Sequence, residues 1–274
     1  MITTEYKIQG PTNLTIAIVA DLHEREPDEV LSILHTIKPD IIAVPGDLLE
    51  NYSGVCRESE EDEGENWLGR MVSHIIHSID YNVEDRCRRH RSVGSRENAY
   101  RFLTEAGKIA PVLYSCGNHE RFLTEEDEAV LHSAGIHLLN NSSVVIGGIL
   151  FGGIPSKQSA KIDEEFLDSF SSHPGYKVLL SHHPEYYEKI KPYNINLILA
   201  GHAHGGQIRI CGQGCFSPGQ GCLPRYTKGV FENRLVVSAG CSNTAAIPRI
   251  CNPCEVVVVR VETDECHGKR NDRR

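Results

Sequence analysis

Five short blocks of polar side chains, each directly after an apolar run, constrain this chain more than any other feature of its sequence. In chain order they read Asp-Leu-His, Pro-Gly-Asp, Cys-Gly-Asn-His, Ser-His-His-Pro and Gly-His-Ala-His, between residues 21 and 204. Blocks so far apart in the chain converge only if the elements between them belong to one sheet system. The sequence therefore predicts a single α/β domain over residues 1–265, with a polar site beyond the carboxyl ends of its strands.

The apolar runs have the lengths of buried strands, and helical patterns separate the first of them. A strand, helix, strand order indicates parallel pairing through right-handed crossovers. After residue 143, short β-rich runs alternate with Gly and Pro turns around one helix predicted at 160–170. The earlier predicted strands are 14–20, 41–44 and 111–115, and the earlier predicted helices are 27–37 and 124–135.

Two of the blocks share the same spacing of potential metal ligands. Asp21 and His23 stand two residues apart at a predicted strand end, where alternate side chains point the same way. His202 and His204 repeat that spacing. Asp21 and His23 can therefore face one metal, and His202 and His204 share the same-face arrangement.

The other blocks add a carboxylate and further imidazoles. Asp47 has two carboxylate oxygens, so one side chain is able to bridge two cations. Since neighbours on an extended chain face opposite sides, only one of His182 and His183 is expected to be a ligand. Taken singly, each block has a simpler explanation as a helix cap, a turn or a hydrogen-bonded core histidine. Five blocks in the same position at strand ends are poorly explained by capping, and together they favour a metal site.

A charged insertion is predicted at about residues 51–108. It is acidic over 57–65 and rich in arginine over 86–101, and apolar residues recur at helical spacing between 67 and 79. This apolar face either packs on the domain, covers the site, or meets an apolar substrate or a lipid surface. The arginine-rich part is expected to be a solvated face.

Charge and hydropathy exclude some classes of function. The net charge of −9 disfavours nucleic acid as a partner. No apolar run approaches the roughly 20 residues of a membrane span, and the first ten residues lack signal-peptide character, so a cytoplasmic protein is predicted, with peripheral membrane contact as an open alternative. The ten cysteines are expected to be reduced, and residues 266–274 to form a disordered tail. The alternative for the C-terminal cysteines is a structural zinc site on four of Cys211, Cys215, Cys222, Cys251 and Cys254.

In this set of motifs the sequence resembles the calcineurin-like metallophosphoesterases. Their signature is Asp-x-His, Gly-Asp, Gly-Asn-His-Glu/Asp, a later His and Gly-His-x-His, and all five motifs are present in that order. The resemblance extends over about residues 12–262 and implies a four-layer αββα sandwich, in which helices flank two mixed β-sheets. The Gly-Gly-Gln after the last His, and the Cys-Asn-Pro-Cys-Glu segment, resemble a bacterial branch of phosphodiesterases and lipid-nucleotide pyrophosphatases.

The resemblance also implies roles for individual residues. The general acid is His119, pointing away from the metals, with Glu50 orienting it or else lying at the surface. The substrate phosphate is expected at Arg249 and Asn118, although a structural salt bridge is as reasonable for Arg249. Two metals are implied: the first is held by Asp21, His23, Asp47 and His204, and the second by Asp47, Asn118, His182 and His202. Such nitrogen and oxygen ligands suit manganese, iron, zinc, cobalt or nickel better than calcium or magnesium.

The predicted function is hydrolysis of a phosphodiester or pyrophosphate bond by metal-activated water. A small-molecule or lipid-linked phosphodiester is the favoured substrate. One alternative is a phosphomonoesterase or protein phosphatase on the same scaffold, which a comparison of a chromogenic monoester with a diester would separate. The other is a noncatalytic protein that uses the fold for interaction. Such a protein is expected to lose bridging or acid residues, whereas Asp47 and His119 are both present.

Overall fold

A computed structural model describes residues 1–51, 94–245 and 248–263 of the chain. The α-helices are α1 (Asp28–Ile37), α2 (Arg96–Ile109), α3 (Glu125–Ser133), α4 (Glu164–Ser172) and α5 (Tyr187–Ile190). The strands are β1 (Ile2–Gln9), β2 (Leu14–Ile18), β3 (Ile41–Val44), β4 (Val112–Tyr114), β5 (His137–Leu138), β6 (Ser142–Ile146), β7 (Ile149–Ile154), β8 (Lys177–Ser181), β9 (Leu197–Ala200), β10 (Arg209–Ile210), β11 (Gln213–Gly214), β12 (Phe216–Ser217), β13 (Gly221–Cys222), β14 (Gly229–Phe231), β15 (Leu235–Val237) and β16 (Glu255–Glu262).

Two mixed six-stranded sheets form the centre of the fold. The first has the order β1-β16-β2-β3-β4-β5, in which β2 to β5 run parallel and β16 is antiparallel to β2. The second has the order β14-β15-β9-β8-β7-β6, with parallel central strands and antiparallel edges. Two short hairpins, β10-β11 and β12-β13, stand outside both sheets.

The strands are continuous apolar runs because both of their faces are buried. In β3, Ile41 and Ala43 pack in the core between the two sheets, whereas Ile42 and Val44 face the helices on the other side. A third core lies between the second sheet and helices α4 and α5, where Leu167 and Tyr187 are buried. The four-layer αββα sandwich is therefore confirmed. None of the helices in the described ranges has the length and apolar character of a membrane span.

The last residues of the predicted insertion form a helix that packs in the helical layer. Residues from Arg96 onward form α2, capped by the side chain of Ser95, and its apolar face is buried with α1 in the helical layer. Arg101, one of the basic residues that suggested an insertion, is exposed and pairs with Glu26 and Asp28. The acidic and arginine-rich stretches before residue 94, the apolar helical pattern at 67–79 and the tail at 266–274 lie outside the described residues.

Candidate metal centre

The five polar blocks converge at one end of the sandwich, at the carboxyl ends of parallel strands. Those after β2, β3 and β4 come from the first sheet, and those after β8 and β9 from the second. Donor atoms lie within 4.8 Å of one another in each of four groups. These groups are Asp21–His23–His204, Asp21–Asp47–His182, His23–Asp47–His119 and His182–His183–His202.

Three buried donor atoms at this end have no hydrogen-bond partner among the described residues: Asp21 Oδ2, His23 Nε2 and Asp47 Oδ2. Two of them, His23 Nε2 and Asp47 Oδ2, lie 3.8 Å apart. A buried polar atom without a partner costs about 1–3 kcal/mol, and three such atoms in one place are rarely tolerated in a native core. A cation among them would satisfy all three, so these residues fit a first metal.

The contacts of the His182 ring indicate a second metal position. Its Nδ1 lies 2.7 Å from the carbonyl oxygen of Pro45, to which it donates. When the ring is neutral in this form, Nε2 carries a lone pair and no proton. Nε2 nevertheless faces two oxygen atoms, Asn118 Oδ1 at 3.0 Å and Asp47 Oδ2 at 3.1 Å. Burial disfavours the imidazolium, but the charge of Asp47 raises the pKa of His182 to about 10. Its Nε2 is thus directed at a point where a cation fits.

Burial favours the neutral form of both histidines after β9. Burial and the neighbouring His183 lower the pKa of His202 well below its usual value, and burial with His23 and Arg249 does the same for His204. The backbone N–H of His202 donates to Asp21 Oδ1 at 3.0 Å, which joins this loop to the first block. Neutral imidazoles are the form that metals bind.

His182 and His183 differ in the partners of their ring nitrogens. Both are buried, with ring planes at 88° to one another. Protein groups occupy both nitrogens of His183: Nε2 lies 2.8 Å from Ser156 Oγ, and Nδ1 lies 2.9 Å from Glu185 Oε1. Only His182 directs a nitrogen towards Asp47 and Asn118.

Strand alternation does not explain why Asp21 lies near His23 or why His202 lies near His204, because none of these residues lies in a strand. The backbone leaves β2 and β9 before the blocks begin, and their residues are left-handed rather than extended. The positive φ angles are 54° for Asp21, 51° for His23, 63° for His202, 45° for His204 and, in the second block, 56° for Asp47. Non-glycine residues rarely adopt this region, and such strain clusters at functional sites.

Close packing of two loops depends on glycine. A Cβ on Gly117 would lie 2.1 Å from Asp47 Oδ1, and a Cβ on Gly46 would lie 2.6 Å from the Cα of Gly117. The φ of Gly46 is also +93°. The loops after β3 and β4 therefore come together only because both residues lack a side chain.

Glu50 joins two histidines of the centre. Its Oε1 lies 2.6 Å from His23 Nδ1, and its Oε2 lies 2.9 Å from His119 Nδ1. Although burial opposes ionisation, hydrogen bonds from His119 and His23 lower the pKa of Glu50 to about 2. Burial likewise disfavours charge on His119, but Asp47 and then Glu50 raise its pKa to about 9. The sequence had left this glutamate between an orienting role and the surface, and the structure places it between the two rings.

The family resemblance implied that His119 points away from the metals. In the structure its ring instead points towards the centre. With Nδ1 directed to Glu50, Nε2 lies 3.7 Å from Asp47 Oδ2, and the ring packs edge-on against His23 with centroids 4.5 Å apart. The backbone N–H of His119 donates to Asp47 Oδ1 at 3.0 Å. His119 is partly exposed, so its ring lies at the rim of the centre.

Glu120 has a role that sequence reasoning missed. Its buried carboxylate accepts backbone N–H groups of Gly117 at 2.7 Å, Asp47 at 3.0 Å, Leu48 at 2.5 Å and Leu49 at 2.8 Å. Burial and the charge of Asp47 raise the pKa of Glu120, an effect that these N–H groups oppose. The acidic fourth position of the Gly-Asn-His-Glu block was the available signal. This side chain fixes the loop that presents Asp47.

Arg249 lies at the centre, where its guanidinium contacts backbone carbonyls and a histidine ring. Its guanidinium donates to the carbonyl oxygens of Ala239, at 2.5 Å, and Ser242, and one nitrogen lies 3.0 Å from His204 Nδ1. Two of its three nitrogens are therefore used by the protein, neither in a salt bridge. Arg249 connects the loop after β15 to His204.

The cysteine-zinc alternative gains no support. None of the groups of metal-competent side chains within the described ranges contains a cysteine. The seven described cysteines are unpaired, and Cys211, Cys222 and Cys251 are exposed.

The chain is thus an α/β protein with a four-layer sandwich, and carboxylate, amide and imidazole donors lie together at its strand ends. The model of the calcineurin-like phosphoesterase family matches residues 14–206. The chain belongs to that family.

Three curated relatives are similar in sequence. The uncharacterized protein YpbG of Bacillus subtilis (strain 168) is 24% identical over 254 residues, covering 90% of this chain and 85% of that one. An uncharacterized metallophosphoesterase of Helicobacter pylori is 28% identical, over 54% of this chain and 42% of its own. Phosphodiesterase YaeI of Escherichia coli (strain K12) is 29% identical, over 39% of this chain and 42% of its own.

Solved structures superpose loosely. The protein TT1561 of Thermus thermophilus gives a TM-score of 0.40 at 15% identity, over 69% of this chain and 82% of that one. The sulfate thiohydrolase SoxB of Thermus thermophilus gives 0.42 at 11% identity, over 94% and 58%. The fold assignment therefore rests on the sheets and helical layers of the chain itself.

Proposed function

We propose that the chain is a binuclear metal-dependent phosphoesterase that hydrolyses a phosphodiester or pyrophosphate bond. The observation that supports this most is the set of three unpartnered buried donor atoms, Asp21 Oδ2, His23 Nε2 and Asp47 Oδ2. They lie beside a second set, His182 Nε2 with Asn118 Oδ1, that faces the same Asp47 oxygen. This arrangement supports Asp47 as the bridge between two cations in the proposal.

The ligands divide between two positions in this proposal. Asp21, His23, Asp47 and His204 hold the first cation, and Asp47, Asn118, His182 and His202 hold the second. Two cations held in this way lower the pKa of a water molecule to near neutrality and neutralise charge on phosphoryl oxygens. The nitrogen and oxygen donors favour manganese, iron, zinc, cobalt or nickel.

His119 is the proposed general acid. Its ring lies at the rim, and Glu50 keeps Nδ1 occupied while raising the fraction of imidazolium. The proton on Nε2 is then available to the oxygen that leaves the phosphorus atom. Glu50 is the proposed positioning residue, because both of its oxygens contact histidine rings.

A diester is the proposed substrate class. The similar Escherichia coli protein is named a phosphodiesterase, and the net charge of −9 disfavours long nucleic acids. A lipid-linked diester is the narrower proposal: Ile210, Leu223 and Ile250 are 64%, 72% and 48% exposed. Ile250 lies close to the centre, since its N–H donates to the carbonyl oxygen of Gln207.

The test compares His119→Gln with the native chain on two diesters, one with an activated and one with a poor leaving group. The variant is expected to keep both metals and to lose roughly 100–10,000-fold in turnover of the poor substrate. It should lose far less on the activated one. Unchanged turnover of the poor substrate would show that His119 is not the acid.

The substrate class needs a separate comparison. A chromogenic monoester measured beside the diester separates a phosphodiesterase from a phosphomonoesterase. A lipid-linked and a soluble diester are then compared in the native chain and after deletion of residues 57–92. The deletion stops there because Arg96 binds Glu24 and Asp127 in the described fold. Equal turnover of both diesters by both proteins would contradict the lipid-linked substrate.

A further inference from the structure

We infer that His183 is a positioning residue for one of the two metals: with Ser156 and Glu185 it forms a hydrogen-bonded chain that fixes the loops of Asn118, His182 and His202. This inference rests on the proposed function. His183 is buried, with 4% of its surface exposed. Its Nε2 lies 2.8 Å from Ser156 Oγ, and its Nδ1 lies 2.9 Å from Glu185 Oε1. With both nitrogens engaged, the ring is not itself a ligand.

Ser156 connects this ring to the loop that presents Asn118. It follows β7, and its backbone N–H donates to the carbonyl oxygen of Cys116 at 2.9 Å. The hydroxyl of Ser159, on the same loop, donates to the carbonyl oxygen of Gly117. Through Ser156, His183 is therefore two hydrogen bonds from the backbone just before Asn118.

The ring of His183 also packs directly on two of the proposed ligands. Its centroid is 4.1 Å from that of His202 and 5.1 Å from that of His182. Tyr186 stacks beside it, with centroids 4.6 Å apart and planes at 22°. His202 thus lies against His183, and a shift of His183 would change the direction of the His202 nitrogens.

Glu185 fixes the opposite end of the chain of hydrogen bonds. It lies in the short 3-10 turn Pro184–Tyr186, and a Cβ on Gly219 would come within 2.3 Å of its Oε1. The hairpin β12-β13 therefore covers this carboxylate closely. Close packing therefore confines the Glu185 carboxylate, whose Oε2 makes no hydrogen bond within the described residues.

The first metal position has different supports. Glu50 holds His23, and Arg249 holds His204. The hydroxyl of Ser242 donates to the carbonyl oxygen of Asp21 at 2.8 Å. None of these contacts involves His183, so loosening His183 should weaken one metal position and leave the other.

The experiment titrates metal-free protein with Mn²⁺ alone and follows heat and bound stoichiometry. Native protein is expected to bind two ions, and Ser156→Ala to bind one normally and the other about 10–100-fold more weakly, the usual loss when an outer partner of a ligand is removed. Glu185→Gln, which keeps an oxygen near Nδ1, should lose less than Glu185→Ala. Ser133→Ala is the matched control, because the Ser133 hydroxyl bonds only a helix carbonyl at the surface.

The outcomes separate this inference from the proposed function. Native protein that binds no Mn²⁺ would contradict both. Two ions in native protein, with both sites or neither weakened in Ser156→Ala, would overturn the role of His183 alone. Tighter binding would indicate that the freed Nε2 is a ligand, which also overturns that role. Denaturant midpoints of the metal-free forms show whether each variant folds, and excess Mn²⁺ should restore turnover of Ser156→Ala.

Discussion

The carboxylate of Glu50 lies 2.9 Å from His119 Nδ1, so the proposed acid and its orienting group are in direct contact. The other oxygen of the same carboxylate lies 2.6 Å from His23 Nδ1. One side chain therefore sets the orientation of a ring at the rim and of a ring inside the metal centre. This coupling makes the protonation of the centre testable without any metal.

Glu50→Gln is expected to lower both the pKa of His119 and the stability of metal-free protein. In the native fold the pKa of Glu50 is lowered from 4.5 to about 2, so its stabilisation is present above about 4.5 and is lost as the pH falls towards 2. The pKa of His119 is raised from 6.5 to about 9, so its stabilisation is complete below 6.5 and is lost as the pH rises through 9. The difference from native should be largest between pH 4.5 and 6.5.

The measurement is chemical denaturation across pH, with imidazole titration by NMR. Loss of hydrogen bonds to a charged group predicts a difference of roughly 1.5–3 kcal/mol within that window. Glu105→Gln, at an exposed helical pair with Lys108, is the control and should change little. An unchanged pKa of His119 in Glu50→Gln would mean that the contact does not form in solution.

Replacement of Glu120 should destabilise the Asp47 loop. Each carboxylate oxygen of Glu120 accepts two backbone N–H groups, so the NH₂ group of Glu120→Gln leaves two of these donors without a partner. The free energy of unfolding should fall by about 1–3 kcal/mol for each such donor. Denaturation of the metal-free protein measures this, and a variant as stable as native would contradict the role given to Glu120.

A methyl group at Gly117 should displace Asp47. The Cβ of Gly117→Ala would lie 2.1 Å from Asp47 Oδ1, too close for either loop to keep its position. We expect weaker binding of both metals, measured by Mn²⁺ titration. Gly147→Ala is the control: its turn has open space and a φ of +59°, so it should cost about 1–2 kcal/mol of strain and leave metal binding intact. Normal metal binding by Gly117→Ala would mean that the two loops are farther apart than described.

The Arg249→Lys variant tests whether Arg249 orients His204 or contacts the substrate phosphate. A lysine cannot bond Ala239, Ser242 and His204 at once, so the first metal should bind roughly 10–100-fold more weakly. At saturating metal, the KM for a diester should be nearly unchanged. A raised KM with normal metal affinity would instead place the guanidinium on the substrate phosphate.

The sequence predicted the framework because burial on both faces produces a strong pattern. Runs such as Ile41–Val44 are apolar on both faces, and such runs end where parallel strands present their polar loops. β1 was missed because it is an edge strand whose residues, such as Thr3 and Glu5, are mostly exposed. α2 was assigned to the insertion because its charges outnumber the four buried residues that define its inner face.

The inner arrangement of the centre could not be predicted from residue order alone. The left-handed backbone at Asp21 and His202 depends on contacts between loops from different sheets. The contacts of His183 to Ser156 and of Glu50 to both histidines likewise join side chains whose proximity exists only after folding. Sequence patterns report local periodicity, and these relationships are tertiary.

Metal content of native protein and of Asp47→Asn, measured with diester hydrolysis, tests the central claim most directly. Asp47 belongs to two of the four donor groups and faces both proposed positions. Native protein should bind two transition-metal ions per chain and hydrolyse the diester. Asp47→Asn should lose at least one ion. Its loss of activity should exceed roughly 10–100-fold, which is the usual effect of removing a group that hydrogen-bonds to a metal ligand. Native protein that binds no transition metal, or a variant equal to native in both measurements, would contradict a binuclear centre bridged by Asp47.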